Sequence, residues 1–596
     1  MRPRFRAVGL VCVLLGCAPE PNEPDGLVTA TEVCPHPLVQ VCEGIDRYAR
    51  QLMEETQTPG LAVALVLADG SILPRSYGVA DRDSGEPVTP QTLFQIGSIS
   101  KTFTALALLK SWEEGRFDPD RPITESLPWL RLGEGFEEVS GHHLLTHTAG
   151  LPANRDDIVG SRYMAWAARE QRAAYPPGQR FAYSNLGYQI LHAALEHLEE
   201  ESLDAILRRR FFDPLGMDRS RSGFGPTVRH LLAVGHQPPF DDRPWHRSHG
   251  WAEARWVDYD IGDGSVVSNA EELALFLRMV LRRGETSTGS LLGERAFERF
   301  LAPSEAADGT PIRAFGVSEH YGYGIFVHRR DEGRTHIHHS GGMLGYVSDL
   351  RGHLEAGHGV VALGNALNGA PIQLAHYALE ALDAQAQGEP VPEIPKAFGD
   401  PLEIENGAEF AGAWSSPESG KRLEILVEGS GLQLAVESLG TARTVPIERH
   451  PRSDHFWSRY PDLPTLELFL LEFQRDVTGE VSQLVHGEDV YVREADVEAA
   501  PAEVPDHWLA YRGHYRSYSP WLSNFRILLR RGELLLATAS GAESSYGTQV
   551  LLERESGIFQ IGSEPTSETL HFDSVADGEA LRVRWSGHPF YRVMTP

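Results

Sequence analysis

The chain has 596 residues, of which 41% are hydrophobic and 23% are charged; this is an ordinary globular composition at a length that allows two to four domains. Its formal net charge of −29 is spread along the sequence without a long acidic block. Such a charge repels a phosphate backbone, so we expect no nucleic-acid partner.

The N-terminus has the pattern of a targeting segment. Three arginines within the first six residues precede a short apolar run, residues 7–15, which is too short to span a bilayer as a helix. The following "LLGC" resembles the cleavage site of a bacterial lipoprotein signal, which implies a signal over residues 1–17 and a lipidated Cys17. A plain secretory signal is the alternative. Residues 18–43, which begin with the proline-rich acidic stretch "APEPNEPDG", would then tether an exported body to a membrane, facing the periplasm or the cell exterior.

Two cysteines follow the signal. Cys34 and Cys42 are eight residues apart, ahead of the first helical segment. In an oxidising compartment this pair predicts one disulfide, with two free thiols as the alternative.

Residues 44–385 have the pattern of an α/β domain. Apolar spacing predicts a helix over residues 44–57, and two strand-like runs flank Asp69-Gly70, a hairpin signal. Helical and loop-rich sequence fills most of the interval to about residue 270. Strand-like runs then return, and an amphipathic helix covers residues 371–385. We expect a sheet built from both ends of the domain, with terminal helices against it and a helical insertion between.

The remaining sequence predicts two small all-β domains. A proline-rich linker, residues 386–401, leads to alternating strands over residues 402–493, and a second linker, residues 494–505, leads to residues 506–596. "FAGAWSS" near the start of the first segment matches "YRGHYRS" in the second, and "HGEDVYVR" matches "SGHPFYRV" near their ends. We interpret the two segments as copies of one antiparallel barrel-like domain.

Lysine occurs at only four positions, and Lys101 is one of them. It follows Ser98 by three residues at the start of a helical pattern, so both side chains would lie on one face, a turn apart. A serine hydroxyl needs a neighbouring base, and an amine can accept a proton where a guanidinium cannot. Alone the pattern is weak, because Ser98 could also be a helix cap and Lys101 a surface residue.

Two further stretches carry candidate residues. Tyr183-Ser184-Asn185 precedes an amphipathic helix, and His339-Ser340-Gly341 ends a strand-like run. A tyrosine in a cationic pocket can act as a general base, and an asparagine amide can bind both a lysine and a substrate carbonyl. A strand ending in Ser-Gly-Gly lets backbone N–H groups approach a substrate closely.

In this order and spacing, the three elements resemble those of the serine β-lactamase and penicillin-binding-protein superfamily, in its class C-like branch. The resemblance covers roughly residues 44–385 and implies the β-lactamase-like fold, an antiparallel sheet flanked by helices plus a helical subdomain. It implies that Ser98 is the acylated nucleophile and that Lys101 and Tyr183 are the proton-transfer pair. Asn185, His339, Ser340 and Gly341 would then bind substrate, and the backbone N–H groups of Ser98 and Gly342 would form the oxyanion hole.

The sequence departs from the lactamases at His339, where they carry a lysine that binds the substrate carboxylate. The H-x-G variant is similar to that of DD-carboxypeptidases, D-aminopeptidases and family esterases. We expect His339 to bind a substrate carboxylate only when its ring is protonated, near pH ~6.5 or below.

A metal is not expected. His336, His338 and His339 lie close together, but along a strand His339 would point away from the other two, and no other metal-ligand spacing occurs. We likewise expect no cofactor. His147 is expected to order a turn, and Tyr321 to be a packing residue.

The resulting hypothesis is an exported serine hydrolase acting on a small-molecule or peptide substrate, with an ester or D-amino-acid peptide preferred over a β-lactam. A β-lactamase or DD-carboxypeptidase is the first alternative. The second is a non-catalytic lipoprotein that binds peptidoglycan fragments or β-lactams.

Overall fold

The computed structural model describes residues 28–29, 34–153, 160–315, 318–329, 333–438, 441–459, 464–494, 504–538 and 547–594. The predicted signal with Cys17, most of the tether and most of the second linker lie outside these residues. The predicted fold class is confirmed: an α/β domain is followed by two closed antiparallel barrels of eight strands each. No helix in the described ranges is both long enough and apolar enough to cross a membrane.

The helices of the first domain largely follow the apolar periodicity. The predicted N-terminal helix begins at Val39 instead of residue 44, because Val41 and Cys42 are also buried and extend its apolar face. Cys42, in the first turn of this helix, forms the predicted disulfide with Cys34, which precedes the helix. In the described residues the α-helices are α1 (Val39–Thr56), α2 (Ser100–Glu113), α3 (Ile123–Ser126), α4 (Gly141–Leu145), α5 (Ser161–Ala167), α6 (Asn185–Glu199), α7 (Leu203–Leu207), α8 (Asp213–Leu215), α9 (Pro226–Arg229), α10 (Ala270–Leu281), α11 (Glu294–Leu301) and α12 (Ala370–Gln387).

The first domain is organised around one antiparallel sheet with the strand order β1-β3-β2-β15-β14-β13-β12-β11. The predicted hairpin at Asp69-Gly70 joins β2 and β3 on one side of the sheet. The strands after residue 318, β11 to β15, form the other side of the sheet. The strands are β1 (Val28–Thr29), β2 (Gly60–Val66), β3 (Ile72–Gly78), β4 (Phe94–Gln95), β5 (Arg221–Ser222), β6 (His236–Gln237), β7 (Ala252–Glu253), β8 (Val266–Ser268), β9 (Glu285–Thr286), β10 (Gly289–Ser290), β11 (Glu319–Tyr321), β12 (Phe326–Arg329), β13 (Thr335–Met343), β14 (Tyr346–His353) and β15 (His358–Gly364).

Helices cover both faces of this sheet. Every residue of β2 is buried, and its side chains alternate between two apolar clusters. Leu61 and Val63 pack in the cluster formed with α1 and α12, whereas Ala62 and Ala64 belong to the larger cluster that includes α2, α6 and α10. The near-continuous apolar run in this strand is therefore explained by burial on both faces.

Each barrel is an up-and-down circuit in which consecutive strands pair and the first strand closes on the last. The first barrel contains β16 (Gly412–Ser415), β17 (Arg422–Glu428), β18 (Gly431–Ser438), β19 (Thr441–Arg449), β20 (His455–Ser458), β21 (Leu471–Arg475), β22 (Val481–His486) and β23 (Asp489–Arg493). The second contains β24 (Gly513–Arg516), β25 (Asn524–Arg530), β26 (Glu533–Thr538), β27 (Gly547–Glu555), β28 (Ile558–Ile561), β29 (Thr569–Ala576), β30 (Glu579–Trp585) and β31 (His588–Val593).

The predicted repeat corresponds to these two barrels. Trp414 and Tyr515 are fully buried at equivalent positions of their first strands. Each pairs with an arginine of the last strand, Arg493 in the first barrel and Arg592 in the second. Both arginines also donate to backbone carbonyls next to their own first strand. The same aromatic–arginine pair thus closes both barrels.

The second barrel is fastened to the first domain through Asp241. Its carboxylate accepts hydrogen bonds from the Arg516 guanidinium, at 2.5 and 2.7 Å, and from Ser523 Oγ at 2.7 Å. The Asn524 side chain donates to its carbonyl at 2.9 Å. Burial opposes ionisation of Asp241, but the bonds from Arg516 and Ser523 outweigh it and lower the pKa of this carboxyl group. This contact holds the start of the second barrel against the first domain.

Candidate active site

Ser98 lies in a single helical turn, Gly97–Ile99, that leads directly into α2. The preceding Gly97 has φ +52°, and a Cβ atom there would lie 2.7 Å from the backbone nitrogen of Gly342. Only glycine satisfies both the left-handed backbone and this close approach. The turn thereby brings Ser98 beside the end of β13.

Lys101 lies one turn after Ser98 and is wholly buried. Its Nζ donates to Ser98 Oγ at 3.0 Å and to the backbone oxygen of Asp263 at 2.8 Å. These two hydrogen bonds fix the amine against the serine hydroxyl, as the S-x-x-K spacing predicts.

Tyr183 lies on the other side of the amine. Its ring centroid is 5.1 Å from Lys101 Nζ. The adjoining Ser184 fixes this segment, because its hydroxyl caps α6 by accepting from the backbone nitrogen of Gly187 and donates to the carbonyl of Pro152 at 2.6 Å. Ser98, Lys101 and Tyr183 are therefore brought together from two helix starts.

Asn185 is the first residue of α6 and lines the cavity in front of Ser98. Its backbone nitrogen donates to the carbonyl of Ala153 at 2.8 Å. This bond holds Asn185 at the edge of the cavity, a position that agrees with the predicted contact to substrate.

His147 supports Tyr183 from behind. It has a left-handed backbone, with φ +57°, as expected for a residue that orders a turn. Its ring lies 4.2 Å from the Tyr183 ring, and its Nδ1 accepts a hydrogen bond from the backbone nitrogen of Ser184 at 3.1 Å. Burial, together with the Lys101 charge, holds the pKa of His147 well below its usual value. His147 is thus a neutral ring that positions the tyrosine.

His339 has a different environment from the one that the sequence predicts. Its ring is buried, Nε2 lies 2.8 Å from the Tyr321 hydroxyl, and Nδ1 lies 2.7 Å from the carbonyl oxygen of Ser340. Burial and the Lys101 charge lower the pKa of His339 to about 3. Because both ring nitrogens are engaged and the ring is neutral at ordinary pH, it does not offer a charge to a substrate carboxylate. The partner is Tyr321, which we expected to be a packing residue.

Ser340, Gly341 and Gly342 each have a different role. Ser340 Oγ donates to Asp349 on the neighbouring strand at 2.7 Å, so its hydroxyl is used within the sheet. A Cβ atom on Gly341 would lie 1.9 Å from the carbonyl oxygen of Ile96, so glycine is required for β13 to approach the Ser98 turn. Gly342 is exposed and lines the cavity together with Ser98, and its part in an oxyanion hole stays a prediction.

Sequence reasoning missed Asp263 as a site residue. Asp263 is buried, its backbone oxygen accepts from Lys101, and its carboxylate accepts from the Tyr259 hydroxyl at 2.7 Å. Burial raises the pKa of Asp263, and the Lys101 charge opposes this shift only in part. None of the sequence motifs considered above singled out this aspartate.

A cavity of about 500 Å³ opens in front of Ser98. One wall belongs to the first domain and the other to the second barrel. The second-barrel wall contains two tryptophans and a phenylalanine, and sequence reasoning gave no indication of it, because its residues follow Ser98 by more than 400 positions. The wall residues are Ser519, Trp521, Leu522, Thr538, Glu568, Trp585, His588 and Phe590.

Glu568 connects the two walls of the cavity. Its carboxylate accepts hydrogen bonds from the backbone nitrogen of Ala153 at 2.5 Å, from Trp585 Nε1 at 2.8 Å and from Ser586 Oγ at 2.5 Å. Close by, Ser567 Oγ donates to the carbonyl of Gly150 at 2.6 Å. These contacts fix the second barrel at the mouth of the cavity.

Comparison with known proteins identifies a family for the domain that contains this site. A family model described as Beta-lactamase matches residues 45–385, which is more than half of the chain. The chain belongs to the beta-lactamase family. The match ends before the two barrels begin, so the family assignment rests on the domain that carries Ser98, Lys101 and Tyr183.

Curated relatives of this beta-lactamase-family chain carry different names. A beta-lactamase of Yersinia enterocolitica is 33% identical over 201 residues, which are 33% of this chain and 51% of the relative. Penicillin-binding protein 4 of Amycolatopsis lactamdurans is 31% identical over 193 residues, 31% of this chain and 50% of the relative. Esterase EstB of Burkholderia gladioli is 34% identical over 195 residues, 29% of this chain and 49% of the relative. The chain thus spans about half the length of these relatives.

One solved structure extends the likeness beyond the beta-lactamase-family domain. The octameric penicillin-binding protein homologue from Pyrococcus abyssi matches 76% of this chain and 100% of its own, with a TM-score of 0.53 and 23% identity. At that identity the likeness concerns the fold alone.

Proposed function

We propose that the protein is a serine hydrolase that forms an acyl-enzyme at Ser98 and hydrolyses an ester or amide, with a D-amino-acid peptide or ester preferred over a β-lactam. The observation that carries the proposal is the 3.0 Å hydrogen bond between the buried Lys101 amine and Ser98 Oγ. A serine held against a buried amine at the edge of a cavity has the geometry of an activated nucleophile.

In the proposed reaction the Lys101 amine acts in its uncharged form: Ser98 Oγ attacks the substrate carbonyl carbon while its proton passes to Lys101 Nζ. The backbone N–H groups of Ser98 and Gly342 stabilise the oxyanion that forms. Tyr183, next to the amine, delivers a proton to the leaving group. Water then attacks the acyl carbon and gives a proton to the Tyr183 oxygen, and the protonated Lys101 returns a proton to Ser98 Oγ as the acid leaves, which regenerates all three residues.

The first experiment tests the nucleophile. We expect a fluorophosphonate probe to add one label per chain, seen by intact-protein mass spectrometry, and to inhibit ester hydrolysis. Ser98→Ala should abolish both labelling and turnover while the protein stays folded. Ser419→Ala removes an exposed hydroxyl in the first barrel and serves as the matched control. Labelling of the Ser98→Ala protein at the wild-type level would exclude Ser98 as the nucleophile.

The charge of the cavity supports the proposed substrate class. The described lining residues include two carboxyl groups, Asp263 and Glu568, and no arginine or lysine side chain. His339 is buried and its pKa is lowered to about 3, so it adds no positive charge at neutral pH. The nearest cation is the Lys101 amine, which is buried and hydrogen-bonded to Ser98 Oγ and the Asp263 carbonyl. A site that lacks a further cation favours a neutral ester or a substrate with a free amine over one with a carboxylate close to the reacting bond.

The aromatic wall of the second barrel supports an apolar group on the substrate. Trp521, Trp585 and Phe590 face the cavity, and Trp521 packs edge-to-face on Tyr259 at 5.5 Å between ring centroids. We propose that these rings bind the substrate side chain while the first domain performs acyl transfer.

A hydrolysis panel tests the substrate class: a short-chain p-nitrophenyl ester, a D-aminoacyl anilide, a D-Ala-D-Ala peptide and nitrocefin. We expect turnover of the ester or the D-amino-acid substrate to exceed turnover of nitrocefin. The alternative, a β-lactamase or DD-carboxypeptidase, is supported by the names of the Yersinia and Amycolatopsis relatives. Preferred turnover of nitrocefin or the D-Ala-D-Ala peptide would decide for it, and binding without turnover of any substrate would decide for a non-catalytic lipoprotein.

We also propose that the protein is exported and anchored through a lipidated Cys17. The sequence pattern around Cys17 carries this proposal, and the Cys34–Cys42 disulfide supports it because such bonds persist in oxidising compartments.

A further inference from the structure

Three histidines line up across neighbouring strands at the end of the sheet that is remote from Ser98. His336 of β13 is the direct cross-strand partner of His353 of β14, and His353 is the partner of His358 of β15. Direct partners in an antiparallel pair place their side chains on the same face, a few ångströms apart. The ring centroids of His336 and His353 are 4.6 Å apart, and those of His353 and His358 are 5.7 Å apart.

Helix α12 covers this face and places Asp383 over the three rings. His353 Nδ1 lies 2.7 Å from Asp383 Oδ1, and His358 Nε2 lies 2.8 Å from the same oxygen. His336 Nε2 lies 3.3 Å from the other oxygen, Asp383 Oδ2. One carboxylate from the helix thus gathers imidazoles from three strands.

The hydrogen bonds of this cluster are incomplete. His336 and His353 are 7% and 6% exposed, yet the Nε2 atom of each makes no well-aligned hydrogen bond. The Nε2 atom of His336 approaches Asp383 Oδ2 at 3.3 Å, and that of His353 approaches Glu355 Oε2 only at 3.7 Å. Burying a ring nitrogen without such a bond costs free energy, and buried polar atoms of this kind are uncommon in native proteins. Asp383 has only two oxygen atoms, so it cannot satisfy every nitrogen of three rings. The cluster therefore contains ring nitrogen atoms that are available to bind a metal ion, in a site from which water is largely excluded.

The donor set is that of a transition-metal site. One ligand atom each from His336, His353 and Asp383 lies within 4.8 Å of the others, which is a separation that a single ion can bridge after small side-chain shifts. Imidazole and carboxylate are typical ligands of Zn²⁺. We propose that His336, His353 and Asp383 bind a zinc-class divalent ion and that His358 holds the Asp383 carboxylate in place.

This site lies apart from the acyl-transfer chemistry. His336 and Gly342 are six positions apart on β13, which corresponds to about 20 Å along an extended strand. An ion there would tie α12 to β13 and β14, so its role is to stabilise the first domain. The proposed site differs from the sequence-based expectation that no metal is bound. Of the histidines in the "HIHH" stretch, His336 belongs to the cluster, whereas His338 contacts Glu319 and His339 contacts Tyr321.

Metal binding to the untagged full chain tests the proposal. After chelation and buffer exchange, we expect Co²⁺ titration to saturate at about one ion per chain, with a visible d–d band typical of low coordination number. Zn²⁺ should displace the Co²⁺ signal and raise the melting temperature. His336→Gln and His353→Gln should each weaken binding at least about tenfold, the loss typical of a removed contact at a metal site.

His376→Gln is the matched control, because His376 is also on α12 but is exposed and paired with Glu380. It should leave the Co²⁺ signal and the stabilisation by Zn²⁺ unchanged. If the wild-type chain shows no saturable Co²⁺ band, or if His336→Gln binds as tightly as wild type, the cluster is a hydrogen-bonded imidazole–carboxylate group and the proposal is wrong. The wild-type titration decides this even where a variant fails to fold.

Discussion

Replacing Lys101 with arginine keeps the positive charge but removes the group that can accept the serine proton. The amine is fully buried between Ser98 Oγ, at 3.0 Å, and the carbonyl oxygen of Asp263, at 2.8 Å. A guanidinium stays protonated under all ordinary conditions, so it cannot act as the base. We therefore expect Lys101→Arg to lose almost all turnover.

The size of this loss follows from the role of the amine. A positioned general base contributes about 10²–10⁴-fold to the rate. At ~1.36 kcal/mol per tenfold change, its removal raises the barrier by about 2.7–5.4 kcal/mol. The larger side chain also overpacks the site, which costs about 1–3 kcal/mol of folding free energy. That cost is smaller than the stability of a typical domain, about 5–15 kcal/mol, so the variant should remain folded.

The assay is kcat/KM for a p-nitrophenyl ester, with circular dichroism and thermal unfolding to confirm the fold. Lys110→Arg is the matched control, because Lys110 is on the same helix but is partly exposed and paired with Glu113 at 2.7 Å. It should keep wild-type activity. A folded Lys101→Arg enzyme within about threefold of wild-type kcat/KM would show that the lysine is not the base.

Three further results are expected. Cys17→Ser should move the protein from the membrane fraction to the soluble fraction, because lipid attachment is lost; an unchanged distribution would contradict the lipoprotein proposal. Trp521→Ala should lower kcat/KM for a substrate with a bulky apolar side chain far more than for p-nitrophenyl acetate, and an equal loss for both would contradict a role in side-chain binding. Burial lowers the pKa of His142 to about 3, and the charge of Arg299 adds to this shift. Below pH ~6.5 the unfolded chain therefore binds a proton at this histidine that the folded chain does not bind. Because of this difference, the free energy of unfolding falls as pH falls. Urea unfolding at about pH 7.5 and pH 5 should show that the free energy of unfolding is lower at pH 5, with roughly 2 kcal/mol of the loss due to this histidine. That contribution should be absent in His142→Gln and retained in His376→Gln, which changes an exposed histidine. Equal pH dependence in both variants would refute the prediction.

The parts of the site that lie within one short segment were predictable from sequence. Ser98 and Lys101 are one helical turn apart, so their contact follows from helix geometry alone, and Gly341 follows from the need for close backbone approach. The fold class was predictable for a similar reason, because apolar periodicity and the repeated barrel motifs are local signals. The roles assigned to the individual site residues stay predictions until the variants are measured.

Features that depend on distant parts of the chain were not predictable. The environment of His339 is set by burial and by Tyr321, eighteen positions away on another strand. The cluster of His336, His353, His358 and Asp383 brings together residues of three strands and a helix, so no spacing in the sequence indicates it. The aromatic wall of the cavity comes from a domain whose own sequence pattern indicates only a barrel. In each case tertiary packing determines the chemistry of the residue.

The two walls of the cavity are encoded far apart: Glu568 accepts a hydrogen bond from Ala153 across 415 positions of sequence. Substitutions in the strands and loops of the second barrel can therefore alter which molecules fit, while Ser98 and Lys101 remain untouched. Conversely, the first barrel shares the same architecture but contributes no residue to the described lining of this cavity. Two barrels of the same architecture thus differ in what they do for the cavity: the second sets the shape of one wall, whereas the described residues of the first lie outside it.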